Sequence, residues 1–271
     1  MKISIIIAVS NDLRIEKAIK SIDEDVEIII SLNKPTKDIV DLVSKLKRKN
    51  QKIKICTISY LSIAGAYNNG IKHSTYSNIL LMDSDCVFEK GCIKRLYRGL
   101  KKSPLSKGLV VFRYKSKVEK IISQARDFHC SGRINAYSPP LLFKKNILSK
   151  IGGYYFHPAL CWMEDGEFDC RVQKAKLPIY FDPKAKIYHD RLNLKTDLKN
   201  AFMYGVGWNI SSQLKIDNKP SGLIKSISQL LIKGTKEKGF ITGVYLYIWK
   251  IVILLGYNIQ RLFKIRDPYQ K

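Results

Sequence analysis

The first 85 residues alternate apolar, strand-like runs with helix-like segments, and this alternation limits the fold more than any other feature of the chain. The opening run, Ile3–Val9, is apolar except for one serine and is rich in isoleucine. Such a run is typical of a strand buried on both faces, as in a parallel sheet. Three more runs follow at Val26–Leu32, Ile53–Ile58 and Ser77–Met82. The pattern predicts an α/β fold with a mostly parallel central sheet flanked by helices, and with ligands at the carboxyl ends of its strands.

Two common nucleotide-binding motifs are absent from the sequence. No GxGxxG follows the first run, and no GxxxxGK[ST] occurs anywhere in the chain. Their absence argues against a dinucleotide-dependent enzyme and against a P-loop NTPase. A nucleotidyltransferase on a related sheet stays open as an alternative, although the glycine-rich, arginine-containing loop expected after its first strand is missing.

The chain carries 48 Lys and Arg against 23 Asp and Glu, a formal net charge of +25. This excess indicates an anionic partner, which can be a nucleic acid, a membrane surface or a phosphorylated ligand. A basic nucleic-acid-binding protein is therefore an alternative hypothesis. No nucleic-acid-binding motif appears, and most of the basic residues are lysines, which are less suited than arginine to fixed phosphate contacts. We therefore expect no nucleic-acid partner.

The strongest local motif is Asp83-Ser84-Asp85, which directly follows the fourth apolar run. In an extended segment the side chains of residues i and i+2 point the same way, so both carboxylates can face one hard cation. An ordinary acidic turn after a strand is the alternative interpretation.

A second acidic cluster lies at Glu164-Asp165-Gly166-Glu167-Phe168-Asp169. It holds four of the nine acidic residues found between positions 101 and 200. Carboxylates packed this closely raise one another's pKa, which suits a general base. Acidic residues are also favoured at the start of a solvated helix, and that alternative has equal weight.

The order of these features resembles that of a family-2 glycosyltransferase of the GT-A fold, over about residues 1–192. The resemblance depends on the spacing of five parts: Ile3–Asn11, Ala66-x-Asn68-x-Gly70-Ile71, Asp83-Ser84-Asp85, Gly152-Gly153-Tyr154, and Glu164-Asp165 followed by Arg171. It implies an inverting transfer of a sugar from a nucleotide-diphosphate donor to a hydroxyl acceptor. It further implies assembly of a cell-surface glycan, a polysaccharide or a lipid-linked oligosaccharide.

The resemblance also implies residue roles. Asp85 would bind Mn²⁺ or Mg²⁺ on the donor diphosphate, and Asp83 would face the nucleotide ribose or the metal. Asp165 would be the catalytic base, with Glu164 as the alternative. His189 would lie near the metal as a further ligand. Arg171 would contact phosphate or orient the acidic residues.

Further contacts follow from the same resemblance. The residues expected to line the donor or nucleotide pocket are Ala8, Val9, Ser10, Asn33, Ala66, Asn68, Gly70 and Ser84. The residues expected near the donor sugar or the acceptor are Gly152, Gly153 and Trp162.

One departure from the family pattern concerns the nucleotide base. Relatives usually end the second strand with Asp-Asp-Gly-Ser or a close variant, whereas this chain has Ser31-Leu32-Asn33-Lys34-Pro35-Thr36. The Asn33 amide can still donate and accept hydrogen bonds to a uracil edge. A UDP-sugar is favoured as donor, and because Asn33 replaces the usual acid, GDP or another nucleotide stays open. A homologue that binds donor with weak activity is the alternative.

The expected domains are a glycosyltransferase domain at 1–195 and a helical, basic extension at 196–271. Within the first, residues 1–100 would bind the nucleotide, and residues 101–195 would provide the acceptor site and the base. The stretch Phe240–Ile259 is mostly apolar and carries a single charge, Lys250, near its middle. A membrane-docking helix, a core helix and a true span are all open, and 221–238 could form a second amphipathic helix beside it.

The partners and the compartment follow from these features. A basic, apolar C-terminal region would suit an anionic membrane surface and a lipid-linked acceptor. The six cysteines form no CxxC pair, which favours reduced thiols in a cytoplasmic protein. The expected location is the cytoplasm, with peripheral binding at the inner face of the cell membrane.

Overall fold

The computed structural model describes residues 1–131, 134–214, 216 and 223–263, with the side chains of 131 and 223–230 excepted. The apolar side chains of the expected amphipathic helix at 223–230, and the basic residues Lys264 and Arg266, lie outside the described residues. The chain forms two compact units. The first comprises Met1–Val110 and Ile134–Tyr188, and the second comprises the described parts of Val111–Arg133 and His189–Asp267.

The strands form one mixed sheet whose first half is parallel. They are β1 (Ser4–Val9), β2 (Glu27–Asn33), β3 (Ile53–Ile58), β4 (Asn78–Asp83), β5 (Cys86–Phe88), β6 (Leu105–Phe112), β7 (Leu141–Lys144) and β8 (Ile179–His189). Their order across the sheet is β3-β2-β1-β4-β7-β6-β8-β5. The first four pair in parallel, whereas β7 runs antiparallel to β4 and β6. The α/β class and the mostly parallel arrangement of the N-terminal strands are confirmed.

Helices cover the sheet in the first unit and build the second unit. They are α1 (Ile15–Lys20), α2 (Lys37–Lys49), α3 (Ile63–His73), α4 (Cys92–Gly99), α5 (Lys117–Ser131), α6 (Glu164–Lys174), α7 (Leu194–Gln213), α8 (Leu223–Lys238) and α9 (Phe240–Phe263), and a 3-10 helix spans Lys145–Lys150. The isoleucines of β1 are fully buried, as expected for a strand covered on both faces.

Helix α3 packs closely on β1 and β2 because its sequence is rich in small residues. The Ser62 side chain caps its first turn by accepting a hydrogen bond from the Gly65 N–H at 3.0 Å. Tyr67 and Ile71 point into the main core of the first unit. This close packing anchors one wall of the crevice at the carboxyl end of the sheet.

The second unit is an all-helical bundle in which α9 packs against α7, α8 and α5. Its core encloses an ion pair between Arg126 and Asp197 at 2.6 Å, and the Tyr245 hydroxyl donates to the same carboxylate at 2.5 Å. The Arg126 guanidinium also lies 4.8 Å from the centre of the Trp249 ring. A buried charge needs such partners. Thus α5, which the sequence analysis placed in the 1–195 domain, packs with the C-terminal helices.

Among the described helices, α9 alone has the length and the apolar composition needed to cross a membrane. One of its faces, which includes Leu246 and Ile253, is buried in the helical bundle. The opposite face, which includes Ile248 and Leu255, is exposed. In this structure α9 is therefore a core helix on one side and an open apolar surface on the other.

Gly70→Ala tests the packing of α3 on β1. A Cβ atom at this position would lie 2.4 Å from Ile6 Cγ2, which is too close for unstrained packing. A Gly→Ala change in an unstrained helix stabilises by about 0.4–1 kcal/mol, whereas overpacking costs about 1–3 kcal/mol. We expect the free energy of unfolding, measured by urea denaturation, to fall. The control is Lys72→Ala on the exposed face of α3, and a Gly70→Ala protein as stable as the wild type would contradict the packing.

Candidate functional site

The candidate site lies where the sheet order reverses, between β1 and β4. The chain places β2 and β3 on one side of β1 and then returns to add β4 on the other side. Such a reversal opens a crevice at the carboxyl ends of the strands. The register places Ala8 opposite Asp83. The turn at Ser10 is fastened to the turn after β2, because the Thr36 N–H donates to the Ser10 carbonyl at 3.3 Å.

A polar network joins the turn after β1 to the turn after β4. The Arg14 guanidinium binds both oxygens of Asp12, with Nε–Oδ1 at 2.8 Å and Nη2–Oδ2 at 3.0 Å. The same Nη2 lies 3.4 Å from Asp85 Oδ2. The Ser84 hydroxyl donates to Asp12 Oδ2 at 3.0 Å. Burial works to raise the pKa of Asp12, but its bonds with Arg14 outweigh burial and hold that pKa below its ordinary value.

Asp83 is held in place from α3. The Tyr67 hydroxyl donates to Asp83 Oδ1 at 2.6 Å, and the Tyr67 side chain is buried. Burial, and then the charge of Asp83, raise the pKa of Tyr67 well above its ordinary value. Tyr67 therefore remains a proton donor at neutral pH, and it fixes the orientation of the Asp83 carboxylate.

Glu164 and Asp165 are the first two residues of helix α6. The residue before them, Met163, adopts a left-handed backbone conformation with φ 66°. Glu164 is only 9% exposed. Burial raises the pKa of Glu164 well above its usual range, and the charges of Asp165 and Asp83 add to the effect. Because Asp83 contributes to this shift, the two acidic clusters predicted from sequence lie within electrostatic reach of each other.

A buried lysine offsets part of the charge near Asp165. Lys107 lies on β6 with 6% of its surface exposed, and its ammonium donates to the carbonyls of Tyr137 and Pro139. Burial raises the pKa of Asp165, and the nearby charge of Lys107 limits that rise. Asp165 thus has a higher proton affinity than an ordinary aspartate while it keeps a positive group nearby.

The other two acids of the second cluster are structural. Asp169 is buried and accepts a hydrogen bond from the Ala136 N–H at 2.8 Å and one from Gln173 at 3.2 Å. Glu167 is buried and forms an ion pair with Arg171 at 2.6 Å. Two acids of the cluster, Glu167 and Asp169, therefore stabilise the fold. The other two, Glu164 and Asp165, have raised pKa values.

Arg171 fastens α6 to the Gly152-Gly153 turn. It donates twice to Glu167 and once each to the carbonyls of Ile151, Tyr154 and Tyr155. Both glycines adopt positive φ angles, 90° and 84°, which a Cβ atom would strain. These bonds use all five guanidinium N–H groups, so the structure leaves none for the predicted phosphate contact. Arg171 instead orients the helix that begins with Glu164 and Asp165.

Three predicted donor contacts are packing positions in the structure. The Asn68 amide donates to the Phe156 carbonyl at 2.7 Å, and its oxygen accepts from the Phe156 N–H at 3.2 Å. Ala66 and Gly70 are buried within α3. These residues join α3 to the sheet and to the loop at 156, and their roles in donor binding stay predictions.

Asn33 is also engaged within the protein. It is 4% exposed, and its side-chain oxygen accepts a hydrogen bond from the Ser62 N–H at 2.7 Å. This contact supports the start of α3. An amide oxygen can accept a second hydrogen bond, and the contact of Asn33 with a nucleotide base stays a prediction.

The role of Trp162 near the donor sugar or acceptor, and that of His189 as a metal ligand, stay predictions. Trp162 is partly buried in the loop before α6. His189 is the last residue of β8; its ring packs on Phe112 with centroids 5.0 Å apart, and its Nδ1 lies 2.7 Å from the Asp190 carbonyl.

Four residues of the site were missed by sequence reasoning: Asp12, Arg14, Tyr67 and Lys107. Asp12 lies in the turn after the first strand, and an acid at the carboxyl end of a parallel strand is a signal that sequence reasoning could have used. Lys107 is a single charge within an otherwise uncharged strand segment, which is a second signal. No sequence pattern distinguishes Tyr67 from an ordinary core aromatic, because only the packing of α3 brings it to Asp83.

Comparisons with known proteins identify the family and the fold. Residues 4–165 match the family described as Glycosyl transferase family 2. No curated protein matches the chain.

Solved structures with the same fold include two glycosyltransferases. The mannosyltransferase PcManGT from Pyrobaculum calidifontis, in complex with GDP-Man and Mn²⁺, is 13% identical; the match covers 95% of this chain and 87% of that one, with a TM-score of 0.70. TarS 1–349 of S. aureus, in complex with UDP-GlcNAc, is also 13% identical; that match covers 97% and 92%, with a TM-score of 0.56. At this identity the likeness establishes the GT-A fold and leaves substrates open.

Arg171→Gln tests whether this arginine has a structural role. Removing one partner of a buried ion pair costs about 3–5 kcal/mol, whereas an exposed pair contributes under about 1 kcal/mol. We expect a large loss in the free energy of unfolding, measured by chemical denaturation. The matched control is Arg191→Gln, which removes an exposed arginine lying 3.7 Å from Glu119. An Arg171→Gln protein with wild-type stability and weakened nucleotide binding would instead support the phosphate contact.

Proposed function

Since the chain belongs to glycosyl transferase family 2, we propose that this glycosyltransferase is metal-dependent and inverting, and that it moves a sugar from a nucleotide-diphosphate donor to a hydroxyl acceptor. The observation that carries the proposal is that residues of the two acidic clusters lie within electrostatic reach of each other. Asp83 ends β4 and Asp85 lies two residues later. Glu164, which begins α6 next to Asp165, is within electrostatic reach of Asp83. The first pair suits the departing diphosphate, and the second suits the acceptor hydroxyl.

The residues at the end of β4 suit Mn²⁺ or Mg²⁺. Both ions prefer oxygen ligands, and Mg²⁺ is commonly bound by one or two carboxylates together with substrate phosphates. Asp83 and Asp85 would hold the ion. Cys86 is a poorer ligand, because burial raises the pKa of its thiol well above the usual range and keeps it protonated. When bound, the ion would neutralise the negative charge that develops on the leaving diphosphate.

Arg14 supplies a positive charge beside the same carboxylates. Its bidentate bond to Asp12 holds the guanidinium in place, and its Nη2 reaches within 3.4 Å of Asp85. We assign it the role of orienting Asp85 at the edge of the donor site. The Ser84 hydroxyl, through its bond to Asp12, keeps the turn after β4 in register with this arrangement.

Asp165 is the proposed base, with Glu164 as the alternative. Asp165 would accept the proton of the acceptor hydroxyl as that oxygen bonds to the anomeric carbon of the donor sugar. The bond from this carbon to the diphosphate oxygen breaks on the opposite face, and the nucleotide diphosphate leaves with the electron pair, so the configuration inverts. The raised pKa of Asp165 makes it a stronger base than an ordinary carboxylate.

The donor and acceptor classes are part of the proposal. A UDP-sugar is the favoured donor. Relatives of the same fold were solved with GDP-Man and with UDP-GlcNAc, and these two therefore head a donor screen. The acceptor would be a glycan or a lipid-linked glycan in cell-surface polysaccharide assembly. The enzyme would then work in the cytoplasm, at the inner face of the membrane.

Donor binding is tested by thermal unfolding with Mn²⁺ and nucleotide diphosphates. A ligand at one hundred times its dissociation constant stabilises the folded state by about 2.7 kcal/mol, which raises Tm by several degrees. We expect UDP with Mn²⁺ to raise Tm, and Asp85→Asn to abolish the rise. The control is Asp41→Asn, which changes an exposed acid on α2. Melting curves unchanged by every nucleotide and metal would contradict the proposed function.

Asp165→Asn separates binding from turnover. The amide cannot accept the acceptor proton, so we expect sugar transfer or slow donor hydrolysis to fall by about 100-fold or more while the Tm rise persists. Glu164→Gln is the paired variant, and a larger loss in that protein would move the base role to Glu164. A wild-type chain that shows the Tm rise but turns over no donor would be a donor-binding homologue of weak activity.

A further inference from the structure

The outer face of α9 is an apolar surface without a partner in the described part of the chain. It is defined by six residues that are 44–73% exposed, namely Phe240, Ile241, Ile248, Leu255, Leu262 and Phe263. Four of them recur every seven residues, from Ile241 to Leu262, so they lie close to one line along the helix. A helix at the surface of a soluble bundle normally presents polar residues there. Here the outer face is apolar, although the inner face already buries apolar residues such as Leu246 and Ile253 in the bundle.

Most charges around this face are positive. The α9 sequence contains no acidic residue, and its two cations are Lys250 and Arg261. Arg261 is exposed and directly precedes Leu262 at one end of the outer face. At the other end, α8 carries the exposed residues Lys233 and Lys236 beside the exposed Ile232, together with one exposed acid, Glu237. An apolar strip with basic residues at both ends matches an anionic lipid surface.

We propose that the outer face of α9 docks on an anionic membrane, with the helix lying in the plane of the surface. The face would insert into the boundary between headgroups and acyl chains, and the basic residues would meet the lipid phosphates. The inference rests on the proposed function in one respect, because a lipid-linked acceptor explains why the enzyme needs a membrane.

The inner face of α9 argues against a transmembrane span. It covers the Arg126–Asp197 ion pair, to which Tyr245 contributes a hydrogen bond, and it also buries the polar residues Thr242 and Gln260. Insertion across a bilayer would separate α9 from this network and leave a buried charge pair without one of its partners. Docking by the outer face leaves every one of these contacts intact.

A second copy of the chain is the competing occupant, because a seven-residue repeat also suits helix pairing. Two α9 helices paired through their outer faces would bring basic ends together in either orientation, and α9 offers no acid to compensate. A membrane with anionic lipid avoids that repulsion. Charge therefore favours lipid over a second copy.

The test is vesicle flotation of the full chain with phosphatidylcholine vesicles that contain or lack about one third phosphatidylglycerol. We expect binding to the anionic vesicles that weakens as salt is raised. Ile248→Glu and Leu255→Glu should each lower the partition coefficient about tenfold or more, because each removes an inserted apolar side chain and adds a repelled charge. The matched control is Val40→Glu, an exposed β-branched residue of α2, which should bind as the wild type does.

Three results would overturn the proposal: no binding of the wild type to anionic vesicles, undiminished binding by both glutamate variants, or equal loss in the Val40→Glu control. Light scattering in vesicle-free buffer identifies the competing case, in which Ile248→Glu dissolves a dimer without changing vesicle binding. Circular dichroism and the Tm rise with UDP and Mn²⁺ verify that the variants fold. Vesicle binding without a rise in Tm on adding UDP and Mn²⁺ would contradict the proposed function alone. A rise in Tm without vesicle binding would contradict this inference alone.

Discussion

The parallel pairing of β1 with β4 is the constraint on which the candidate site depends. It places Ala8 opposite Asp83, and as a result the turns that follow the two strands share one crevice. Asp12 and Arg14, in the turn after β1, reach Ser84 and Asp85, in the turn after β4, because of this register. A slip of one residue would reverse the direction of each side chain on the strand. The fully buried isoleucines of β1 make such a slip costly, so core packing and site geometry are set by the same interaction.

The second requirement is that a helix rich in acids be held firmly at the edge of this crevice. Of its four acids, Glu167 and Asp169 are fully bonded within the protein, through Arg171 and the Ala136 N–H. These bonds fix the helix and leave Glu164 and Asp165 at its first turn with raised pKa values. Stability and reactivity are thus divided among neighbouring residues of the same chemical type, which is why composition alone could not assign them.

In the helical unit, too, a buried ion pair holds a helix in position. A buried arginine, Arg126, organises the bundle through Asp197 and the Trp249 ring. This network draws one face of α9 inward and leaves the other apolar face open. The resulting helix combines a polar network on its inner side with an apolar, basic outer side, and that asymmetry separates surface docking from both a pure core helix and a true span.

The sequence by itself determined the α/β class, the strands that carry the site, and the two acidic clusters, because periodic burial and local spacing are written along the chain. It did not reveal that Asn68 and Gly70 also serve packing, or that Arg171 donates all five of its N–H groups within the protein. Only the tertiary structure decided which polar residues meet, such as Tyr67 with Asp83 across 16 positions. The physical reason is that hydrogen bonding and burial depend on neighbours distant in sequence, and these neighbours exist only once the strands have paired.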